Sequence, residues 1–427
     1  MSRGHALAIW RAAVDAVRPE PLVAAALADE PAVRAAPRVL VVGAGKAGPG
    51  MAAGLEAALA PHLDRVGGLV NVPEGMTAPL ERVRLHAARP PGVNEPRPEG
   101  VVGAEEMLRL LASAGPDDVA VCLLSGGGSA LLPAPAEGVT LDDKLAVTRL
   151  LHRCGATIDE MNCVRKHLSR VKGGRLAAAF RGNRLLSLVI SDVVGDPLDV
   201  IASGPTAPDP TTYADARRVL EKFDLLAKVP PAVLSLLDRG VGGEIAETPK
   251  ALPRNVVNRV IGSNRVALDA AEAKAVSLGY RVVNLGDTVI GDTAGVARHH
   301  AGLARGSGPG TCILSGGETT VTLGDAPGKG GRNQEFVLAA MVELAEGLGR
   351  VTVLSGGTDG EDGPTDAAGA VADAVVWEAA RAKHLDAADF LRRHDAYPFF
   401  DAAGGLIRTG LTGTNVMDVR VILTEGV

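Results

Sequence analysis

Ten lysines against 34 arginines make each lysine of this 427-residue chain informative. Three of them, Lys46, Lys172 and Lys329, lie in or beside glycine-rich segments. Glycine runs bring bare backbone N–H groups close to a ligand, and an ammonium beside them supplies a point charge for a phosphoryl or carboxylate oxygen. The first such segment, VLVVGAGKAGPGMA (Val39–Ala52), sets Gly43, Gly45 and Gly48 in G-x-G-x-x-G spacing between an apolar run and a helical pattern. Dinucleotide-binding turns share that spacing. Here Lys46 and Pro49 occupy the turn, and the next apolar run, GGLVNV, ends at Asn71–Val72 without the acid that would bind a ribose, Glu74 standing two residues beyond. A P-loop is excluded, since its lysine follows the second glycine and precedes a hydroxyl. Lys46, at a helix start and backed by glycine N–H groups, reads instead as a cation for an oxyanion.

An apolar run leading straight into Ser-Gly-Gly occurs three times, in VAVCLLSGGGSALL (Val119–Leu132), TCILSGGETTVTL (Thr311–Leu323) and VTVLSGGTDGEDGPTD (Val351–Asp366). A glycine pair after a buried strand turns successive N–H groups into one concavity, and Ser and Thr hydroxyls add donors. A tight turn chosen for its backbone angles would look the same in one copy; three copies at strand ends favour anion binding. The expected ligand contacts are Ser125, Gly126, Gly127, Gly128 and Ser129 in the first copy, Ser315, Gly316, Gly317 and Glu318 in the second, and Thr358 in the third. Gly43 and Gly45 join them from the Lys46 turn, and Asn264 and Asn333 from the starts of two later helices.

LVISDVVGDPLDVIASGPTAPDPTT (Leu188–Thr212) puts Asp192 just past a strand end and Asp196 four residues later in a Gly-Asp-Pro turn. A carboxylate at a strand tip can bind Mg²⁺ or act as general base, although Asp in such a turn is also an ordinary Asx-turn former. GKGGRNQEF (Gly328–Phe336) sets Lys329 and Arg332 among three glycines before a helix. A guanidinium there suits charge spread over phosphoryl oxygens during transfer. Of Asp359, Asp362 and Asp366, whose spacing fails a calcium loop, Asp359 lies nearest the strand end and is the expected Mg²⁺ or substrate contact. No H-E-x-x-H occurs, and SGGGSA is not G-x-S-x-G, which argues against a metalloprotease or an esterase.

The elements that must hold these residues follow from periodicity. After an Ala-rich helical start, short apolar runs alternate with helical stretches of ten or more residues from Arg38 onward, the pattern of parallel βαβ units with ligands at the strands' carboxyl ends. The Pro- and Gly-rich stretch Lys228–Asn255 interrupts it, so two α/β domains are expected, 1–235 with the Lys46 loop and 236–427 with the Arg332 loop. A 46% hydrophobic content with a net charge of -6 excludes a disordered chain and leaves no footprint for nucleic acid or an anionic membrane. No apolar run approaches the roughly 20 residues of a membrane span. Cys122, Cys154, Cys163 and Cys312 lack C-x-x-C spacing and read as buried thiols of a reducing compartment, so a cytoplasmic protein is expected.

Nine blocks in order, GAGKAGPGMA, LSGGGSALL, KHLSRVKGGRLA, SDVVGDPLDVIASGPT, IGSNRVAL, LSGGETTVTL, GKGGRNQEF, GTDGEDGPTDAAGA and TGLTGTNVMD, resemble the glycerate 2-kinase family with a MOFRL-type C-terminal domain, over nearly the whole chain. The resemblance implies transfer of the ATP γ-phosphoryl group, with Mg²⁺, to the 2-hydroxyl of D-glycerate. It also implies two Rossmann-like α/β domains with the active site in the cleft between them, in a monomer or homodimer, and it carries the family's catalytic lysine and arginine onto Lys46 and Arg332. Asp192 is then the candidate general base or metal ligand, and Asp359 a second metal candidate. Relatives named hydroxypyruvate reductase leave an NAD(P)H-dependent reductase as the alternative. Two departures stand out: ARPPGVNEP carries Arg89 where the family often has the His of His-Pro-x-Pro, and TGLTGTNVMD carries Leu411 and Met417 where Pro and Asn are expected.

Overall fold

The run VLVVGA is buried along its whole length, as a strand covered by helices on both faces must be, and it founds the first of two sheets. A computed structural model describes residues 2–324 and 328–425. The first sheet contains β1 (Val39–Ala44), β2 (Val66–Pro73), β3 (Val83–Arg89), β4 (Val119–Leu124), β5 (Arg184–Ile190) and β6 (Val256–Gly262). It is parallel throughout, in the order β3-β2-β1-β4-β5-β6. The chain leaves β1 for β2 and β3 on one side, then returns to lay β4 on the other. The carboxyl ends of β1 and β4 therefore form the topological switch point, where open α/β sheets bind ligands.

This sheet belongs to a compact unit of residues Pro19–Ser191 and Asp196–Ile261. Helices Leu141–Arg153, Ile158–His167 and Tyr213–Lys222 each open with a complete capping box, through Thr140 and Asp143, Thr157 and Glu160, and Thr212 and Asp215. They share one apolar cluster with helix Pro231–Val241, whose Val233, Leu236 and Leu237 are buried in it. That packing carries the unit past the expected boundary at 235, through the Pro-rich stretch and as far as β6.

The second unit comprises Met1–Arg18, Asp192–Gly195 and Gly262–Val427. Its strands are β7 (Arg281–Asn284), the short β8 (Gly291–Asp292), β9 (Thr311–Gly317), the short β10 (Thr319–Thr320), β11 (Val351–Gly357), β12 (Gly369–Ala372), β13 (Leu406–Ile407) and β14 (Asp418–Thr424). β8 and β10 pair as a small ribbon, and the others form a sheet ordered β13-β12-β11-β14-β9-β7. This sheet is mixed, with β14 antiparallel to both β11 and β9 while β7 and β9 run parallel. A doubly covered apolar strand looks the same in either direction, so periodicity alone does not reveal the reversal. The N-terminal helix Ser2–Ala16 joins this unit through Trp10, whose indole Nε1 donates to Gly356 O at 3.1 Å. A Cβ on Gly356 would lie 2.8 Å from that nitrogen.

Cys122, Cys163 and Cys312 are buried, whereas Cys154 is exposed; all four are free thiols. Among the described residues no helix is long and apolar enough to cross a membrane.

Candidate functional site

In the first unit the turns after β1 and β4 are zipped together by their own backbones. Lys46 N donates to Gly126 O (2.8 Å), Ala47 N to Ser125 Oγ (3.0 Å) and Ser125 N to Ala44 O (3.2 Å), while Gly45 N donates to Asn71 O of β2 (3.1 Å). Only glycine allows so close an approach: a Cβ on Gly43 would lie 2.2 Å from Leu123 O, and one on Gly45 2.0 Å from Ser125 Oγ. The N–H groups expected to back Lys46 toward an anion are thus spent on the neighbouring turn, which corrects the nest reading of that segment. What the zipper leaves outward is the Lys46 side chain, half-buried and without a hydrogen bond or ion pair among the described residues.

The Ser125–Ser129 turn is a true strand-end turn, with Gly127 in the left-handed region at φ 80°. It is fastened from below. Lys172, fully buried, donates from Nζ to Ser129 O (3.0 Å), Ala202 O (3.3 Å) and Ser203 Oγ (3.4 Å), and the Ser129 and Ser203 hydroxyls lie 2.9 Å apart. Burial pushes the Lys172 pKa far down, and the cations Arg165, Lys144 and Lys166 push the same way. Ala202, Ser203 and Gly204 are consecutively left-handed (φ 52°, 62° and 60°), a strain that persists only where surroundings over-determine the backbone. Lys172 therefore acts as a staple between the SGGGS and IASGP turns. Arg89, the last residue of β3, reaches the same turn: its Nη2 is 3.4 Å from the point a Gly127 Cβ would occupy, and Lys46 Cγ is 3.6 Å from that point. Asp196 is left-handed at φ 54°; Asp192, two residues beyond β5, is partly exposed and groups with the second unit.

Arg332 opens the helix Arg332–Leu344 of the second unit. Its Nε and Nη2 meet the two carboxylate oxygens of Asp418 at 2.7 and 3.0 Å, and its Nη1 meets Glu318 Oε1 at 2.7 Å. Asp418 is fully buried, and it also accepts from Asn333 Nδ2 (2.8 Å) and Arg420 Nη2 (3.4 Å). Asp362 caps the helix, accepting from Asn333 N (3.0 Å) and Gln334 N (2.8 Å). A Cβ on Gly331 would lie 2.3 Å from the Asp362 carboxyl carbon, so that glycine is what admits the cap. The helix N-terminus is thereby already neutralised, and an anion arriving here has Arg332 to meet rather than free N–H groups.

Charge in this cluster is balanced by opposition. Burial would lower the Arg332 pKa, but Asp418 and Glu318 outweigh it and hold the guanidinium above its ordinary value. Burial raises the Glu318 carboxyl; Arg332 opposes that, and Asp418 and Asp359 add to it. Burial likewise lifts Asp362 to about 6 against the pull of its two N–H donors.

The other two Ser-Gly-Gly copies differ from the first. Ser315–Gly317 end β9 and Ser355–Gly357 end β11, inside the ladder, with Gly317 and Gly357 opposite Asp418 on either side of β14. Their backbone groups pair with β14 on one side and with flanking segments on the other, Gly316 N donating to Gly286 O (2.9 Å) and Gly357 N to Ala368 O (2.8 Å), and form no nest. Ser315 Oγ lies 2.9 Å from His300 Nε2. Gly316 leaves room for Asn264, whose Oδ1 would be 1.6 Å from a Cβ there, while Asn264 Nδ2 donates to Val416 O and Asp418 O. Thr358 donates to Met417 O at 2.7 Å. These residues hold the start of β14, and with it Asp418, in place. Asp359 accepts from Glu361 N at 3.2 Å.

Sequence reasoning passed over Asp418 and Lys172's stapling role, weighed Asp362 only behind Asp359, and met Arg89 only as a departure from the family pattern. A signal for Asp418 was available: Asp418 and Arg420 alternate in an otherwise apolar strand, which puts two charges on one buried face.

A family model described as a domain of unknown function (DUF4147) matches residues 5–238, and the MOFRL family model matches 311–418. A glycerate 2-kinase of Pyrococcus horikoshii is 39% identical, over 90% of this chain and 87% of its own. The chain belongs to the glycerate kinase family. The crystal structure of a glycerate kinase from Thermotoga maritima superposes with a TM-score of 0.87 at 33% identity, covering 99% of both chains. A relative from Agrobacterium vitis, with a provisional hydroxypyruvate reductase name, is 42% identical over 90% of this chain and 87% of its own. The family expected from the nine ordered blocks is thus the family found, and its two models fall on the segments that carry Lys46 and Arg332.

Proposed function

We infer that this protein is a glycerate 2-kinase, moving the γ-phosphoryl group of ATP to the 2-hydroxyl of D-glycerate and releasing ADP and 2-phosphoglycerate. The observation that carries this reading is the unpartnered Lys46 side chain standing on the joined turns of β1 and β4, at the switch point of a parallel sheet. Phosphoryl transfer asks a protein chiefly for positioning and for cations on oxygens that carry spread charge. Lys46 supplies one such cation. Arg332 supplies the second, fixed in direction by its two-point contact with Asp418. Asp192 is assigned the proton of the attacking hydroxyl.

The donor set around Arg332 suits a divalent cation, because Glu318, Asp359, Asp362 and Asp418 outnumber Arg332 and Arg420 there. Mg²⁺ commonly binds through one or two carboxylates plus substrate phosphates. Glu318 and Asp359 would hold it, with Asp192 as a further candidate, and when bound it would neutralise charge on the phosphate oxygens. Among the described residues no three His, Cys, Asp or Glu side chains converge as a cage. The reductase alternative is weaker on geometry: the Lys46 and Ala47 N–H groups that a dinucleotide pyrophosphate would need are already bonded to Gly126 and Ser125. The only acid near the end of β2, Glu74, is exposed.

Phosphorus NMR of the protein with ATP, Mg²⁺ and D-glycerate tests the reading. Loss of ATP with a new ester on the 2-hydroxyl is expected; intact ATP beside glycerate, with NADH consumed on adding hydroxypyruvate, would replace the kinase by the reductase.

A further inference from the structure

Arg89 is 6% exposed, and its Nε is buried without a partner. Among the described residues its guanidinium makes no hydrogen bond and no ion pair. Burial lowers its pKa, and no neighbouring carboxylate offsets the loss of water. An uncompensated buried cation is costly, and an apolar side chain of similar size would fill the same space without that cost. The backbone around it is fixed: Arg89 stands opposite Pro73 where the β2–β3 register shifts, Glu74 N donates to its carbonyl at 2.8 Å, and Pro90 and Pro91 follow. The side chain is therefore held toward the glycine turn. There its Nη2 and the Lys46 stem approach the same point above Gly127, at 3.4 and 3.6 Å. The Arg89 guanidinium and the stem of the Lys46 cation thus meet over a glycine that offers no side chain between them. The N–H groups of Gly126 and Gly127 donate to no acceptor among the described residues.

We propose that Arg89 is a second oxyanion-binding residue of the Lys46 turn, receiving a carboxylate or phosphate oxygen of a substrate in the fork of its guanidinium. The planar fork matches either group in two-point fashion. A carboxylate there would make Arg89 the residue that selects an acid over a neutral polyol; a phosphate would make it part of the nucleotide cradle. The inference rests on the kinase reading for its substrates, but not for its chemistry.

Calorimetric titration of the full chain, without turnover, separates the two. D-glycerate alone, ATP alone and inorganic phosphate alone are the probes, and glycerol is the uncharged control for glycerate. The proteins are wild type, Arg89→Met, and Arg89→Lys, which keeps the charge and loses the fork. The expected result is that Arg89→Met weakens one of the three probes at least tenfold, with Arg89→Lys recovering part of the loss. Loss confined to glycerate marks the carboxylate; loss of ATP or inorganic phosphate marks the phosphate. Melting temperature should be unchanged or raised in Arg89→Met, whereas a merely structural arginine would lower it and leave affinity alone. If the kinase reading fails but inorganic phosphate still binds in an Arg89-dependent way, this proposal stands by itself. All probes within twofold of wild type in a folded variant, or a wild type that binds none of them, would overturn it. Should Arg89→Met not fold, Arg89→Lys and Arg89→Gln are read on the same scale.

Discussion

Lys46 sits among glycines and serines, pairs with no carboxylate among the described residues, and owes its position to hydrogen bonds between two turns. Arg332 sits among Asp418, Glu318 and Asp362, and owes its position to charge. The two units thus present a cation in opposite ways. A backbone-built site leaves its charge unspent and unscreened by counter-ions, so a ligand meets the full field of the ammonium. A charge-built site gives up part of its field to internal partners and gains a fixed direction, since a bidentate carboxylate holds a guanidinium in one plane. The first arrangement suits capture, the second alignment.

The sharpest way to break this contrast is to remove the cation that nothing else uses. Lys46→Ala should reduce kcat by about 10³-fold, the order seen when a charge-stabilising donor is deleted, while thermal unfolding stays within a degree or two. A loss of fold alongside the loss of turnover would show that Lys46 is structural after all. In the second unit the expectation reverses. Asp418→Asn leaves Arg332 and the fully buried Arg420 short of a counter-charge, and breaking such a buried pair costs about 3–5 kcal/mol. Urea denaturation should reveal that loss, and activity should fall with it. A stable but inactive Asp418→Asn protein would mean that Asp418 tunes Arg332 without supporting the fold.

The same contrast explains what the sequence disclosed. The Lys46 turn was legible because its ingredients are contiguous: an apolar run, glycines at fixed spacing and a helix start. β1, β2, β4, β5 and β6 were legible for the same reason. β3 was not, because VRLHAAR mixes charge into its strand, and without β3 the approach of Arg89 to Gly127 cannot be seen. The Arg332 site was half-legible. Arg332 itself stood out beside glycines, but its bidentate partner Asp418 lies 86 residues further along the chain, and only the antiparallel seating of β14 between β9 and β11 puts Asp418 under it. Misjudging two Ser-Gly-Gly copies as strand-end nests has the same origin: whether a glycine pair ends a strand or continues it depends on a neighbour the local sequence does not name. Asp359 was singled out as a metal or substrate contact by proximity to a strand end; the separate capping role of Asp362, admitted by Gly331, depends on helix-start N–H groups 29 and 28 residues away and was not legible.

Titration offers a finer probe of the charge-built unit. Burial depresses the His300 pKa to about 4 from an ordinary 6.5. Between those values the unfolded chain binds a proton that the folded chain refuses, so stability present above pH 6.5 is lost as pH falls toward 4. Asp362, lifted to about 6, works the other way: its folded form takes up a proton earlier, and that adds stability as pH falls from 6 toward the ordinary 3.8. The wild-type profile should therefore be flatter than either group alone would make it. His300→Gln removes the first contribution and should gain about 2–3 kcal/mol relative to wild type on going from pH 7.5 to 4.5, read from denaturation midpoints. An unchanged difference between the two proteins would show that His300 does not carry the acid response.

The smallest effect is the most discriminating. Glu318 is partly exposed, and its contact with Arg332 faces solvent, so Glu318→Gln should change stability by less than about 0.5 kcal/mol. Two roles remain for a carboxylate in that position. If it aligns Arg332, its loss lowers kcat and leaves the Mg²⁺ concentration for half-maximal rate where it was. If it is a metal ligand, that concentration rises by about tenfold, the effect of removing one contact from a sparse set, while kcat at saturating Mg²⁺ is largely recovered. The carboxyl's raised pKa, caused first by burial and then by Asp418 and Asp359 against the pull of Arg332, favours the metal role, since a group crowded by like charge gains most from a divalent cation. Steady-state rates across a Mg²⁺ series, for wild type and Glu318→Gln, decide between them. A shift in the Mg²⁺ dependence would make the charge-built unit the one that awaits a further cation, which is the reverse of the Lys46 turn, where the cation is already present and awaits an anion.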